Sequence, residues 1–386
     1  MFLENGVAEP VRGAPRGIVM DSFDCEFLPG KVVFGAGALR RIGDEVAALG
    51  LSRVMVIAGG SAKPAADRAH EVLGDAVATT FGMVIQHVPE GLAEEGRDAA
   101  ADARVDGVVA VGGGSATGLG KVVAVAREIP LVAVPTTYSG SEMTPVYGTT
   151  GERKVTIRDL RSLPRVAIYD PELTVDLPPR VSAASGFNAM AHSVEAIVGP
   201  GATPPTAVLA AEALRVLPGA LRACVATPSD LAARSDALYG AMLAGRSLAS
   251  AGTGLQHRLA HVLGGRFNAV HADAHAALLP YVTAYHERQQ PAATSRVAEA
   301  LGVEGSAAEA LHALADEIGA PTSLASIGIT RDQIDLVAQE GVAGIDEGDL
   351  RALLDEALQG RSPGTGDGEG DGQRRRGRRR REMKGE

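Results

Sequence analysis

The chain of 386 residues contains no tryptophan, and its aromatic content is only 3%. So few rings argue against a stacking platform for nucleic acid. Cys25 and Cys224 stand far apart with no CxxC, which excludes a disulfide scaffold and a zinc ribbon and suits a reducing compartment. No run approaches the roughly 18 to 20 uninterrupted apolar residues of a membrane span. The first 19 residues mix Pro, Gly and charge and lack the apolar core of a signal peptide. They read as a disordered extension, with Met20 as the natural start. A soluble, cytoplasmic chain is expected.

What is present describes a globular protein: 45% apolar and 22% charged residues, in a chain long enough for two domains. The net charge of −10 is unevenly placed, because residues 363–386 carry eight basic and five acidic side chains. The body is therefore more acidic than the total suggests. It does not attract polyanions, so neither nucleic acid nor membrane is expected as a partner. The tail itself, a Gly/Asp linker followed by arginines at 374–376 and 378–381, cannot bury a core and reads as a disordered appendage. A nucleic-acid binder driven by that block is the competing reading, and it would lose salt-dependent DNA binding on truncation of 363–386.

Between the termini, short β-rich runs alternate with helical ones. Strands are expected at 54–58, 83–88, 107–111, 131–134 and 166–169, and helices at 62–73, 91–104 and 117–127. Apolar strands of about five residues alternating with helices imply a parallel sheet covered on both faces. After about residue 178 helical periodicity continues to about 360 with almost no β-rich run. The expected organisation is a disordered extension (1–19), an α/β Rossmann-like dinucleotide-binding domain (20–178), an all-helical substrate domain (179–362) and a disordered tail (363–386).

Three constellations carry chemistry. Gly112, Gly113, Gly114 and Ser115 lie between a strand and a helix, where glycines let the backbone approach a pyrophosphate and the helix N-terminus supplies N–H groups. The spacing is not GxGxxG. Next, the segment 135–142 (PTTYSGSE) places five hydroxyls at the C-terminal end of a strand, the edge where parallel sheets bind ligands. Finally, Asn188/His192 and His257/His261 are each one helical turn apart. Together with His271 and His275 they suggest a metal or proton-transfer site facing the cofactor.

In this order the motifs resemble the iron-containing alcohol dehydrogenase family, whose fold is similar to that of dehydroquinate synthase. The resemblance runs from about Val33 to Leu358. It rests on FGAG (34–37), GGGS (112–115), PTTYSGSE (135–142), IYDPELT (168–174), FNAMAHSVEA (187–196), HRLAHVLGG (257–265) and HADAHAALLP (271–280). In metal-dependent members an Asp and three His hold Fe²⁺ or Zn²⁺. The resemblance puts the histidines on His192, His257 and His271, but the Asp position is Asn188, a vestigial set with no metal expected. His261 matches the histidine beside nicotinamide and substrate, and Lys154 a lysine near the cofactor. The family Asp following GGGS is Gly118 here. A Cys that often precedes the histidine of HVLGG is Ala260, so thiol sensitivity is not expected there.

Asn188, Gly118 and His275 resemble the maleylacetate reductase branch of that family. The resemblance implies NADH- or NADPH-dependent reduction of a conjugated C=C in a small dicarboxylate, during breakdown of aromatic compounds, by a homodimer. His261 is the expected general acid, with His257, His192, His271 and Asn188 completing the catalytic set. Tyr138 and Arg258 are candidate substrate contacts. Gly112 to Ser115 would take the pyrophosphate, Thr136, Thr137 and Ser141 the ribose or nicotinamide, and Glu142 would brace the loop. No carboxylate follows the strand at 54–58, so both NADH and NADPH are expected. The alternatives are a metal-dependent alcohol dehydrogenase, with Asn188 coordinating through its amide oxygen, and a lyase of the dehydroquinate synthase type.

Overall fold

A computed structural model describes residues 23–28, 30–151 and 154–363. The expectations for the first 19 residues, for Met20 and for the Gly/Asp/Arg tail fall outside them, apart from Pro363.

Runs of four to six residues, rich in β-branched and other apolar side chains, build the sheet. β1 (Lys31–Phe34), β2 (Val54–Ile57), β3 (Val77–Phe81), β4 (Gly107–Gly112), β5 (Leu131–Pro135) and β8 (Val166–Tyr169) form one six-stranded sheet. Its order is β1-β8-β5-β4-β2-β3, and every pairing is parallel. β2, β4, β5 and β8 are buried along their whole length, as strands covered on both faces must be. The cover comes from α1 (Ile42–Ala48), α2 (Lys63–Leu73), α3 (Glu90–Asp102) and α4 (Gly114–Arg127). An antiparallel hairpin of β6 (Val146–Thr150) and β7 (Lys154–Arg158) stands apart from the main sheet.

One expected strand is displaced. The run 83–88 has a strand-like composition, yet the sheet takes β3 from Val77–Phe81 instead. His87 and Val88 have φ of 65° and 46°, a left-handed conformation that cannot join a ladder and is costly for a β-branched residue. The loop instead brings Val84, Gln86, His87 and Val88 to a cavity wall.

The rest of the chain is helical, with no strand among the described residues after β8. α5 (Pro179–Val198), α6 (Pro204–Ala226) and α7 (Leu231–Ala251) pack together, followed by α8 (Leu255–Phe267) and α9 (His271–Gln289). α10 (Pro291–Leu301), α11 (Ala307–Glu317), α12 (Arg331–Glu340) and α13 (Glu347–Gln359) complete it. α5 is buried on every side from Ser182 to Val198, which explains its small residues, Ala183, Ala184, Gly186, Ala189 and Ala191. The expected class, a parallel α/β half followed by a helical half, is what the structure has. No helix among the described residues is long and apolar enough to cross a membrane.

Chain order fixes where a ligand can enter. From β2 the chain moves to β3 on one side, and from β4 it moves to β5 on the other. The C-terminal ends of β2 and β4 therefore flank a topological switch point, the crevice in which open α/β sheets bind ligands.

Candidate active site

A cavity of about 930 Å³ lies between that crevice and the helical half. At its sheet end, α4 starts at Gly114 behind Gly113, which offers no side-chain cap. The first-turn N–H groups and the positive end of the helix dipole are thus presented to the cavity. Gly112 has φ of 144°, and a Cβ there would lie 3.0 Å from the Cβ of Ala116. A Cβ on Gly113 would meet Thr137 Cγ2 at 3.1 Å. These glycines make a cradle that side chains would fill, and the arrangement fits a dinucleotide pyrophosphate.

Thr136, Thr137, Ser139 and Ser141 line the adjoining wall. The buried Lys121 of α4 holds this loop in place, donating to the carbonyls of Ser141 at 2.6 Å, Thr144 at 2.8 Å and Val146 at 2.8 Å. Burial pushes the Lys121 amine down to about 7, against the pull of Glu142. Glu142 is buried too, and burial raises its carboxyl even though Tyr169 donates to it at 2.6 Å. It braces the loop from behind and does not line the cavity.

The opposite end is built from three helices. Asn188, His192 and Glu195 fall at i, i+4 and i+7 on α5 and so share one face. His257 and His261 lie one turn apart on α8, and His271 and His275 on α9. The rings of His192 and His257 stack with centroids 5.1 Å apart, and those of His261 and His271 at 5.6 Å. His257 and His261 meet edge-on at 6.0 Å. The Arg180–Asp273 pair, 3.0 Å, ties the first turn of α9 to the start of α5.

Burial disfavours charge on two of the imidazoles at this end. Burial, and then the neighbouring His257, hold His192 well below the usual imidazole range. His275 is depressed likewise, by burial first and then by the surrounding imidazoles. Asn188 is 3% exposed. Its Nδ2 donates to the carbonyl of Ser139 at 3.2 Å, and its Oδ1 has no hydrogen-bond partner. These side chains do not fit a divalent ion. An amide stands where a carboxylate would supply charge, and among the described residues no group of three His, Cys, Asp or Glu side chains is arranged to hold one.

The structure brings Gly112, Gly113, Gly114, Ser115, Thr136, Thr137, Ser141, Asn188, His192, His257, His261 and His271 to one cavity. Gly118 lines it as well. Tyr138 does not: it is fully buried, and its hydroxyl accepts from Arg234 Nη1 at 3.0 Å, inside the helical core. Arg258 also turns away, its guanidinium lying against Gly344, as its place beside an inward-facing His257 on one helix requires. His275 sits behind His257 and His271 with both ring contacts at 4.5 Å, fully buried. Ala260 is core. Lys154 opens β7 opposite Thr150, but its side chain lies outside the described residues.

Sequence reasoning missed two residues of this site. Glu195 accepts from both the ring and the backbone of His257. Its position three residues after His192, on the stripe already carrying Asn188, was the available signal. His87 lines the cavity from the α/β half and reaches Ala269, between α8 and α9, at 3.2 Å. No local pattern announces that contact.

Comparison with known proteins gives a consistent result. Residues 29–171 match the family model described as iron-containing alcohol dehydrogenase, and residues 182–357 match the C-terminal model of the same family. Maleylacetate reductase of Burkholderia cepacia is 42% identical over 352 residues, covering 89% of this chain and all of that protein. Maleylacetate reductase 2 of Cupriavidus pinatubonensis is 45% identical over 311 residues, 80% of this chain and 87% of that one. Among solved structures, maleylacetate reductase from Agrobacterium tumefaciens aligns with a TM-score of 0.84 at 38% identity, over 89% of this chain and all of the other.

Proposed function

Because the chain belongs to the iron-containing alcohol dehydrogenase family, we propose that it is a maleylacetate reductase that works without a catalytic metal. It is an oxidoreductase, and its relatives at 38% to 45% identity over most of the chain carry that activity in their names. The observation that carries the metal-free reading is the neutral, buried Asn188 among the cavity histidines.

Maleylacetate is a dianion with a C=C conjugated to a ketone. A reduced nicotinamide, when bound, supplies a hydride to the alkene carbon β to that ketone. The substrate then carries an enolate, and a proton on the α carbon completes 3-oxoadipate. Conjugation spreads the developing charge onto the ketone oxygen, so polar groups suffice to stabilise it. In this reading His261 delivers the proton. His192, His257 and His271 form the wall against which the enolate oxygen and nearer carboxylate rest. Asn188 adds no negative charge to repel a dicarboxylate.

At the sheet end, the first turn of α4 holds the pyrophosphate, and Thr136, Thr137 and Ser141 face the ribose and nicotinamide. The turn after β2 offers Gly59, Gly60 and Ser61 to the cavity. None is a carboxylate that would exclude a 2′-phosphate, so NADH and NADPH are both used. The enzyme is further proposed to be a cytoplasmic homodimer with no nucleic-acid or membrane partner.

The test is purified protein with maleylacetate and either NADH or NADPH, following nicotinamide absorbance and identifying 3-oxoadipate. Substrate-dependent oxidation with that product supports the proposal. Oxidation of neither cofactor contradicts it and favours an alcohol dehydrogenase.

A further inference from the structure

We propose that Glu195 is a positioning residue that fixes the tautomer of His257 in the catalytic cavity, an inference that takes the reductase reading as its setting. Glu195 is 2% exposed and comes from α5, whereas His257 belongs to α8. α8 begins behind Gly254, which provides no side-chain cap. Glu195 supplies one from outside the helix. Its Oε1 accepts from the backbone N–H of His257 at 3.1 Å, a donor that the helix itself cannot satisfy. Gly254 leaves room for that approach, since a Cβ there would lie 2.9 Å from Oε1 and displace it.

The second oxygen has a different task. Oε2 of Glu195 is hydrogen-bonded to Nδ1 of the His257 ring. An ionised carboxylate can only accept, so Nδ1 must carry the hydrogen. Nε2, at the far side of the ring, is then the acceptor end of the neutral imidazole. His257 lines the cavity, stacked on His192 and met edge-on by His275 at 4.5 Å. Those neighbours limit ring rotation but do not choose the tautomer. Glu195 does.

One residue thus caps a helix and sets a ring, on separate oxygens, and the two roles can be pulled apart. In Glu195→Gln the side-chain oxygen can go on accepting from the backbone of α8. The amide nitrogen then donates to Nδ1 and forces the hydrogen onto Nε2. The expected result is a kcat lower by about 10- to 100-fold, the range for losing the carboxylate that orients a metal-ligating histidine, since the same fixing of a ring is at stake here. The KM for NADH should stay within about twofold, and folding should be retained. The ¹⁵N signals of His257 should change from the Nδ1–H to the Nε2–H pattern. Glu195→Asp keeps a carboxylate, so it should keep the Nδ1–H pattern and recover part of kcat.

An unchanged tautomer in Glu195→Gln, or a changed tautomer with parental kcat, overturns the proposal. If Glu195→Gln does not fold, the ¹⁵N pattern of the parent decides instead: Nδ1–H supports the assignment and Nε2–H overturns it. A parent enzyme inactive toward maleylacetate would contradict the proposed function, while the tautomer measurement would still decide the role of Glu195.

Discussion

The side-chain amide of Asn188 donates to the backbone carbonyl of Ser139 at 3.2 Å, joining the central buried helix of one half to the hydroxyl-rich loop of the other. Its oxygen is buried without a hydrogen-bond partner. The position thus contributes contact and polarity to the cavity without charge.

Asn188→Asp tests that consequence. A carboxylate here would stand beside His192 and facing His257 and His271, so divalent metal retained after dialysis should rise. The same charge should repel a dianionic substrate. At about 6 Å and an effective dielectric near 20, the repulsion is about 3 kcal/mol per charge, or about 10²-fold in kcat/KM. Metal analysis and steady-state kinetics on the variant check both outcomes.

His261→Gln should lower kcat by about 10²-fold or more, the usual contribution of a placed general acid. His261 meets His257 and His271 at the helical end of the cavity, opposite the pyrophosphate cradle. The KM for NADH should therefore stay within about threefold. A variant that keeps kcat would move proton delivery to another group.

Gly60→Asp should separate the two cofactors. Gly60 lines the cavity beyond β2, and a Cβ there meets nothing within 4 Å. A carboxylate can be accommodated, and it should repel a 2′-phosphate while accepting from a ribose 2′-OH. The NADPH/NADH ratio of kcat/KM should fall by about tenfold or more. An unchanged ratio would place the adenosine ribose elsewhere.

The buried histidines make stability depend on pH. His192 and His275 have pKa values held well below 6.5 in the folded state, by burial first. Below the ordinary imidazole pKa the unfolded chain binds protons that the folded chain refuses, so stability falls as pH drops. Each site contributes a slope of up to about 1.4 kcal/mol per pH unit. Tm measured from about pH 8 to about pH 5 should decline below the usual imidazole pKa, and His275→Gln should make that decline shallower.

The parts of the site legible in the sequence were those written in local spacing. Gly112 to Ser115 announced a strand-to-helix turn, and the four-residue separations of Asn188/His192 and His257/His261 announced shared helix faces. Direction across the fold was not written locally. Thr137 and Ser139 reach the cavity while Tyr138, between them, turns back to Arg234. Residues 83–88 have a strand's composition, but a sheet edge already filled by β3 turns them into cavity wall. Glu195 was visible as the next position on the Asn188/His192 stripe, yet only the packing of α5 against α8 reveals what it holds.

The most direct test of the account is maleylacetate-dependent NADH oxidation by protein exhaustively treated with a strong chelator and verified metal-free. The predicted result is a kcat and KM unchanged from untreated enzyme and unaffected by added Fe²⁺ or Zn²⁺. Loss of activity on chelation, restored by either ion, would contradict the metal-free mechanism and return Asn188 to the role of a ligand.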